Sequence, residues 1–284
     1  MKKALSSLLL ALLMLLCGGC HSKTTKPDIV ATTLPIYTFT SRLCAGTDLT
    51  VEQLITENVS CLHDYSLTVS QMEKLEGANL VVLNGAGLEE FMEDALSGVS
   101  GTIFASEETS HHSHDNYEHS SDAHIWLSPE NAKAMARNIC AGLCRNYPQH
   151  APHFENNLTD LLADLDALQA YGKDKLSNLS CRELITFHDG FCAFADCFGL
   201  NILRSVEEEA GSEASAKDLI ELVELVNSHQ LPAIFIEANG ADAAAKIISA
   251  ETGANVFVLD MAISGDSYFD SMYRNIDTIW EALQ

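Results

Sequence analysis

The sequence predicts an α/β fold of two lobes, each with a mostly parallel four-stranded sheet, joined by one long linking helix. Three observations support this prediction. Short runs rich in β-branched residues alternate with longer helical segments, as expected when crossover helices connect parallel strands. Residues 80–86 resemble residues 234–241, and a helical stretch and another strand follow each, which indicates two equivalent lobes. Leucines at helical spacing lie between the two halves.

Eight strands are predicted, four in each half of the chain. They are residues 29–32, 50–54, 80–83 and 102–104 in the first half and residues 183–187, 201–205, 233–237 and 256–259 in the second. The helix before the third strand of each half begins with a serine and carries an acid three positions later, at Ser70 with Glu73 and at Ser215 with Asp218. This spacing is typical of a capping box.

Residues 151–179 are predicted to form the linking helix. Their only proline and glycine are Pro152 and Gly172. Five leucines recur there at helical spacing, namely Leu158, Leu161, Leu162, Leu165 and Leu168. We therefore place an N-terminal lobe at residues 29–150 and a C-terminal lobe at residues 180–284. The alternative is a surface helix that belongs to a single lobe.

Residues 1–19 have the pattern of a secretory signal peptide. A basic start precedes an apolar stretch of about 14 residues, which is shorter than the about 20 residues that a membrane-spanning helix needs. The two glycines before Cys20 resemble a bacterial lipobox, although Cys17 stands where leucine is usual. We expect Cys20 to be the lipidated first residue of the mature chain and residues 20–28 to form a polar tether. A cleaved signal peptide with an incidental cysteine is the alternative.

The charge balance narrows the class of partner. With 40 acidic and 16 basic residues, the formal net charge is −24. This argues against a nucleic-acid partner, because neutralisation of phosphates needs lysine and arginine. An acidic surface is compatible with the attraction of cations and also with simple solubility.

The chain has nine cysteines. Without Cys17 and Cys20 an odd number remains, so at least one thiol of an exported chain would be free. Most of them are interpreted as small buried apolar residues. Their pairing state stays open.

Histidines are concentrated in one polar segment, residues 110–124, which lacks any periodicity and is predicted to be a loop. Neutral imidazole is the commonest metal ligand among protein side chains, so a tract of this kind indicates loose collection of metal ions. The alternative is a solvated loop without a role. Its histidines are His111, His112, His114, His119 and His124.

Four side chains are candidates for a defined metal site. His63 follows the second predicted strand, His188 follows the fifth, and Asp260 follows the eighth. His124 lies where the chain leaves the histidine-rich segment. Open α/β sheets bind ligands at the carboxyl ends of their strands. We therefore expect His63 and His124 from one lobe to meet His188 and Asp260 from the other.

The chain resembles a known family in several segments that follow one another in the family's order. They are residues 32–37, 63–65, 82–89, 122–129, 187–191, 214–217 and 265–268, with Met272. In these segments it is similar to the solute-binding lipoproteins of zinc and manganese ABC importers, also called cluster A-I or cluster 9. One departure concerns the surroundings of His63, where Leu62, Ser66 and Leu67 replace residues that the family often has.

The resemblance implies an extracytoplasmic receptor, not an enzyme, that delivers its ion to a membrane permease with a cytoplasmic ATPase. It implies lipid anchoring to the bacterial cell membrane through Cys20, and we expect a monomer. The metal ligands carried over from the family are His63, His124, His188 and Asp260. Glu237 and Asp189 are candidates for orienting the ligand imidazoles, although each could equally be a solvated or helix-capping acid.

Zinc is the expected ion. Three imidazoles and one carboxylate suit tetrahedral Zn²⁺, whereas Mn²⁺ prefers more oxygen ligands. The family's manganese proteins tend to carry a carboxylate where this chain has His188. A manganese receptor of the same family is the alternative.

Three rival functions use some of the same features. A zinc hydrolase would need an open coordination position, which four protein ligands do not leave, and the sequence contains no His-Glu-x-x-His motif. A metal-dependent surface adhesin is a second rival, although no segment encodes a partner surface. A receptor for an organic solute is the third, and it would need aromatic and amide groups in place of converging histidines.

Overall fold

A computed structural model describes residues 26–59, 62, 65–106, 123–207, 214–238 and 240–284. Within them, two four-stranded sheets form, and every strand pair is parallel. The strands of the N-terminal lobe are β1 (Ile29–Ala31), β2 (Val51–Gln53), β3 (Leu80–Leu83) and β4 (Thr102–Phe104). Those of the C-terminal lobe are β5 (Glu183–His188), β6 (Asn201–Glu207), β7 (Ala233–Glu237) and β8 (Asn255–Leu259).

The two sheets have the same topology. Their strand orders are β2-β1-β3-β4 and β6-β5-β7-β8. The central strands β1, β3 and β7 are buried along their whole length. Such strands have continuous apolar sequences, because helices cover both faces of a parallel sheet and every side chain of the strand is buried. The predicted fold class and the position of each predicted strand are therefore confirmed, with bounds that move by at most a few residues.

Helices connect the strands and cover the sheets. In chain order they are α1 (Leu34–Leu43), α2 (Val69–Gly77), α3 (Glu93–Leu96), α4 (Pro129–Asn146), α5 (Ala151–Lys175), α6 (Cys192–Phe198), α7 (Ala216–His229), α8 (Ala243–Thr252) and α9 (Tyr268–Leu283). Short 3₁₀ segments occur at Glu90–Met92, Ile125–Leu127 and Pro148–His150. No helix in the described ranges is long and apolar enough to cross a membrane.

One predicted capping box is confirmed and the other is wrong. Ser215 caps α7 and exchanges hydrogen bonds with Asp218. Helix α2, by contrast, is capped by Thr68 with Gln71, two positions before the predicted pair of Ser70 and Glu73. The Gln71 side chain also donates to the Leu54 carbonyl oxygen at 3.1 Å. This buried contact joins the helix start to the residue that follows β2. Local sequence spacing does not reveal such a contact, so it predicted the wrong first residue for the helix.

The linking helix α5 lies between the lobes, as predicted, and ends at Lys175 rather than at residue 179. It packs on α1 and α4 of the N-terminal lobe and on α9 of the C-terminal lobe. Three of its leucines, Leu161, Leu165 and Leu168, are fully buried. Just beyond its end, the Arg182 guanidinium donates to the carbonyl oxygens of Leu176 and Ser177, at 2.6 and 2.9 Å.

The two lobes share one hydrophobic core. A single cluster of buried side chains contains Phe39 and Trp126 from the N-terminal lobe together with Met261, Tyr268 and Ile276 from the C-terminal lobe. A smaller second cluster lies on the other face of the C-terminal sheet. Separation of the lobes would expose apolar surface to water, which costs about 25 cal/mol of free energy for each Å² exposed. The fold therefore favours small relative movements of the lobes.

The cysteines of the described part are all free thiols. Cys44 and Cys140 are buried, and loss of solvation raises the pKa of each to about 12. They remain protonated at neutral pH and behave as small apolar groups. The other four described cysteines, Cys144, Cys181, Cys192 and Cys197, are only partly buried, so burial of most of the cysteines is not what the described part shows.

Candidate metal site

Two of the four predicted ligands meet at the junction of the lobes. The Nε2 atoms of His124 and His188 lie 3.3 Å apart, and the two rings are perpendicular, with centroids at 5.0 Å. Both side chains are buried, at 2% and 1% exposure. The sequence assigned these histidines to different lobes, and the fold brings them into contact.

His188 is the last residue of β5, a central strand. The connection after β5 leads to β6 on one side, and the connection after β7 leads to β8 on the other side. The switch point of the sheet therefore lies between β5 and β7, where open α/β sheets bind ligands. A side chain at Gly190 would crowd this histidine, because a Cβ atom there would lie 2.8 Å from His188 Cδ2 and 3.1 Å from its Nε2. Glycine at position 190 thus leaves room for the imidazole.

His124 is held through the residue before it. The side-chain amide nitrogen of Asn84, just after β3, donates to the carbonyl oxygen of Ala123 at 3.0 Å and to that of Gly85 at 2.9 Å. Asn84 is fully buried. It therefore anchors the chain at the point where it reaches His124.

The carboxylate of Glu89 fixes Asn84 in turn. It accepts hydrogen bonds from the Asn84 and Gly85 backbone nitrogens, at 2.7 and 2.9 Å, and from the Thr32 hydroxyl at 2.7 Å. Burial raises the pKa of Glu89, and these three donors oppose that rise. The network joins the carboxyl ends of β1 and β3 to the segment that carries His124.

Trp126, two residues after His124, contacts the His124 side chain. Its ring packs on the His124 ring, with centroids 5.3 Å apart. Its Nε1 donates to the Met261 carbonyl oxygen at 2.8 Å, and its own carbonyl oxygen accepts from the Tyr268 hydroxyl at 2.8 Å. Met261 directly follows Asp260, so Trp126 connects the ligand-bearing segments of both lobes.

Asp260 follows β8, as predicted, but its carboxylate is bound to neighbouring groups of the C-terminal lobe. Oδ1 accepts from the Ala262 backbone nitrogen at 2.8 Å. Oδ2 accepts from the Ser271 hydroxyl at 2.7 Å and from the Arg274 guanidinium at 3.2 Å. No group of three or more histidine, cysteine, aspartate or glutamate side chains in the described ranges is arranged to hold a metal ion.

Several predicted residues lie outside the described residues. These are the ligand candidate His63, the lipidation site Cys20 and the loop histidines His111, His112, His114 and His119. The described part thus contains three of the four predicted ligands and brings two of them, His124 and His188, together.

The two acids considered as supports for the imidazoles have different surroundings. Asp189 accepts from the Ser205 hydroxyl at 3.0 Å. Glu237 ends β7 and is 4% exposed, and its Oε2 has no hydrogen-bond partner among the described residues. Since Thr186 pairs with Phe235, Glu237 lies beside His188 on the neighbouring strand. The Nδ1 of His188 likewise has no partner within the described ranges.

The separation of the two imidazoles fits a shared ion. Two nitrogens that bind one tetrahedral zinc ion at about 2.0–2.1 Å lie about 3.3–3.4 Å apart. The observed 3.3 Å between the Nε2 atoms matches that value. A direct hydrogen bond between two neutral imidazoles has a similar length. The observed distance therefore fits both a pair that binds one ion and a pair joined by a hydrogen bond.

Asn84 and Trp126 were not predicted as site residues. Both fall within segments that carried the family resemblance, but a buried asparagine after a strand and a tryptophan near a histidine are ordinary features of a core. Their role depends on hydrogen bonds to residues 39 and 135 positions away, which local sequence does not specify.

Two parallel-sheet lobes bridged by a long helix, with buried imidazoles at their junction, define a two-lobed solute-binding protein. A family model described as "ZnuA: Zinc-uptake complex component A periplasmic" matches residues 29–282. Because the match covers most of the chain, the chain belongs to this family. The family is a solute-binding component of a transport system, in agreement with the resemblance seen in the sequence.

Characterised relatives support the assignment. The high-affinity zinc uptake system protein ZnuA of Bacillus subtilis is 26% identical over 290 residues, which cover 94% of this chain and 90% of that protein. The zinc-binding lipoprotein AdcA of Streptococcus pneumoniae is 28% identical over 295 residues, but the match spans only 58% of AdcA. The structure of the periplasmic zinc-binding protein TroA from Treponema pallidum has a TM-score of 0.81 at 27% identity and covers 90% of this chain and 99% of TroA.

Proposed function

We propose that this chain is an extracytoplasmic receptor that binds Zn²⁺ as its cargo and delivers it to the membrane permease of an ABC importer. The observation that carries the proposal is the buried pair of His124 and His188, with Nε2 atoms 3.3 Å apart at the lobe junction. Membership in a zinc-uptake family and the zinc-binding names of its relatives support zinc as the ion.

The full ligand set is proposed to be His63, His124, His188 and Asp260. Of the two Asp260 oxygens, Oδ1 accepts from the Ala262 backbone nitrogen and keeps a lone pair for the ion, whereas Oδ2 accepts from both Ser271 and Arg274.

Glu237 is proposed to orient His188. When Nε2 binds a metal, Nδ1 carries the proton and needs an acceptor. Glu237 Oε2 is a buried acceptor without a partner in the described part, on the strand next to His188. Asp189 is the weaker candidate for this role because Ser205 already donates to it.

Delivery to a permease and attachment to the membrane are also part of the proposal, and family membership supports the delivery. The partners would be the importer's permease and its cytoplasmic ATPase, with the receptor acting as a monomer. Cys20 would carry the acyl chains that hold the receptor at the outer face of the cell membrane, and residues 110–124 would collect ions for the defined site. The lipoprotein name of AdcA supports the anchor.

Native mass spectrometry of the mature chain without acyl groups, offered equimolar Zn²⁺ and Mn²⁺, tests this function. We expect one tightly bound zinc ion, lost in His188→Ala and retained in His229→Ala. His229 is a matched control because it lies on α7 and binds Glu183 on the surface. Preferential uptake of manganese would favour the alternative receptor, and equal zinc binding by both variants would refute the site.

A further inference from the structure

Trp126 contacts a proposed ligand and the opposite lobe at the same time. Its ring packs on His124, and its indole N–H donates to the carbonyl oxygen of Met261, next to Asp260. Both Trp126 and Met261 are buried, at 0% and 2% exposure. Indole has a single donor and no acceptor, so this hydrogen bond determines which way the ring faces.

A second hydrogen bond holds the backbone of the same residue. The Tyr268 hydroxyl, at the start of α9, donates to the Trp126 carbonyl oxygen at 2.8 Å. Tyr268 is fully buried, and burial raises the pKa of its hydroxyl, which therefore stays protonated and remains a donor. Its ring also meets Phe39 of α1 edge-on, with centroids 5.1 Å apart.

These contacts form a continuous path from one lobe to the other. It runs from the Met261 carbonyl through Trp126 to His124 and on to His188. The segment that carries His124 is attached to the N-terminal lobe by Asn84 and to the C-terminal lobe by these two hydrogen bonds. His124 is thus positioned against His188 by both lobes.

We propose that Trp126 and Tyr268 are positioning residues of the metal site, and that their two interlobe hydrogen bonds set the separation of His124 and His188. We name this pair of bonds the interlobe clasp. The proposal rests on the proposed function, because it assigns the clasp to the zinc site. Neither residue touches the ion, and both act through the placement of His124.

Two conservative variants test the clasp, Trp126→Phe and Tyr268→Phe. Each removes one donor and keeps an aromatic ring in the core. The matched control is Tyr147→Phe, whose hydroxyl donates to the Asp28 carbonyl oxygen at 3.4 Å within the N-terminal lobe. Zinc affinity is measured by competition with a chromophoric chelator, and the coordination geometry is followed through the visible spectrum of bound Co²⁺.

We expect each clasp variant to bind zinc about tenfold more weakly than wild type, a loss typical of removing an outer-shell partner. We also expect a changed Co²⁺ spectrum in both, with Tyr147→Phe like wild type in affinity and spectrum. A purely structural role would lower the unfolding temperature and leave the Co²⁺ spectrum of the folded variants unchanged. That outcome, or wild-type affinity in both clasp variants, would overturn the proposal.

Failure of the clasp and failure of the proposed function give different results. If wild type binds zinc and His188→Ala does not, unchanged clasp variants refute the clasp alone. If wild type binds no zinc, the proposed function is refuted and the clasp with it. Should Trp126→Phe not fold, Tyr268→Phe decides, because loss of one hydroxyl leaves the core volume almost unaltered.

Discussion

Asn84 shows how a single side chain can organise a site without touching the ligand. Its amide nitrogen faces two carbonyl oxygens, those of Gly85 and Ala123, inside a fully buried environment. Its side-chain orientation is therefore chemically defined, because a flipped amide would place an oxygen against two acceptors. Glu89 holds the same backbone from the other side.

Replacement of Asn84 by aspartate keeps the side-chain shape but replaces the amide donor with a carboxylate oxygen, which is an acceptor. A carboxylate would face two carbonyl oxygens in a fully buried site, so we expect Asn84→Asp to lower the free energy of unfolding by about 1–3 kcal/mol. We expect weaker zinc binding as well, since Ala123 and His124 would shift. Urea unfolding and zinc competition measure the two effects. The control is Asn178→Asp at an exposed position, and equal behaviour of both variants would contradict this role.

At the scale of elements, the linking helix connects the lobes through its packing and through polar contacts with α9. Leu165 is fully buried, whereas Leu162, on the adjacent turn, is only partly buried. Near its end, Tyr171 and Lys175 bind Asp277 of α9. The apolar face provides most of the stability, and the polar contacts orient the two helices.

Truncation of a buried leucine in this helix tests the packing. We expect Leu165→Ala to destabilise the chain by about 2–5 kcal/mol, because it removes buried apolar volume and leaves a cavity. Leu162→Ala, at a partly buried position, should have a clearly smaller effect. Chemical denaturation monitored by circular dichroism gives both values, and equal losses would show that the helix does not pack as described.

The Asp277 contact should depend on pH. The Tyr171 hydrogen bond, at 2.5 Å, is the main cause that lowers the pKa of Asp277 below its ordinary value of 3.8. A carboxyl group whose pKa is lowered by folding stabilises the folded state at pH values above its pKa in the unfolded chain. This stabilisation is lost as the pH falls through the pKa of the folded state. Because Asp277 is half exposed, we expect Asp277→Asn to cost less than about 1 kcal/mol at pH 7 and almost nothing near pH 2.

Urea midpoints at the two pH values measure this difference. Asp160→Asn serves as the control, since Asp160 is an exposed carboxylate on α5, the helix that carries Tyr171. A loss for Asp277→Asn that is as large at pH 2 as at pH 7 would show that ionisation of this carboxyl group is not involved.

At the scale of the whole molecule, the shared core makes the lobes one cooperative unit. Trp126 lies in the core at the lobe junction, whereas Trp280 lies on α9 and is 37% exposed. These are the two tryptophans of the chain. Each can therefore report on a different part of the structure.

We expect the lobes to unfold together, because separation of one from the other would expose the common core. Single-tryptophan variants, Trp126→Phe and Trp280→Phe, should show unfolding transitions whose fluorescence midpoints coincide with those from circular dichroism on the same variant. Two separated transitions within one variant would mean that the lobes are independent. Trp280→Phe is the milder variant because its side chain is partly exposed.

The sequence by itself determined the architecture and the candidate ligands. Alternating β-branched and helical segments depend on local propensity and burial, so the eight strands and the linking helix could be placed from the pattern. His188 could be named because ligand sites lie at the carboxyl ends of parallel strands, and His124 because it lies where the chain leaves the histidine-rich segment. The family could be recognised because its characteristic segments occur along the chain in the family's order.

Only the tertiary structure decided which side chains position these ligands and where some of the elements begin. The cap of α2 at Thr68, the anchoring of Ala123 by Asn84, and the contacts of Asp260 with Ser271 and Arg274 all depend on side chains that meet through folding. Hydrogen bonds are directional and act over about 3 Å, so they follow from the final packing of distant segments and not from local periodicity. For that reason the contact of Trp126 with both lobes became visible only in the folded chain.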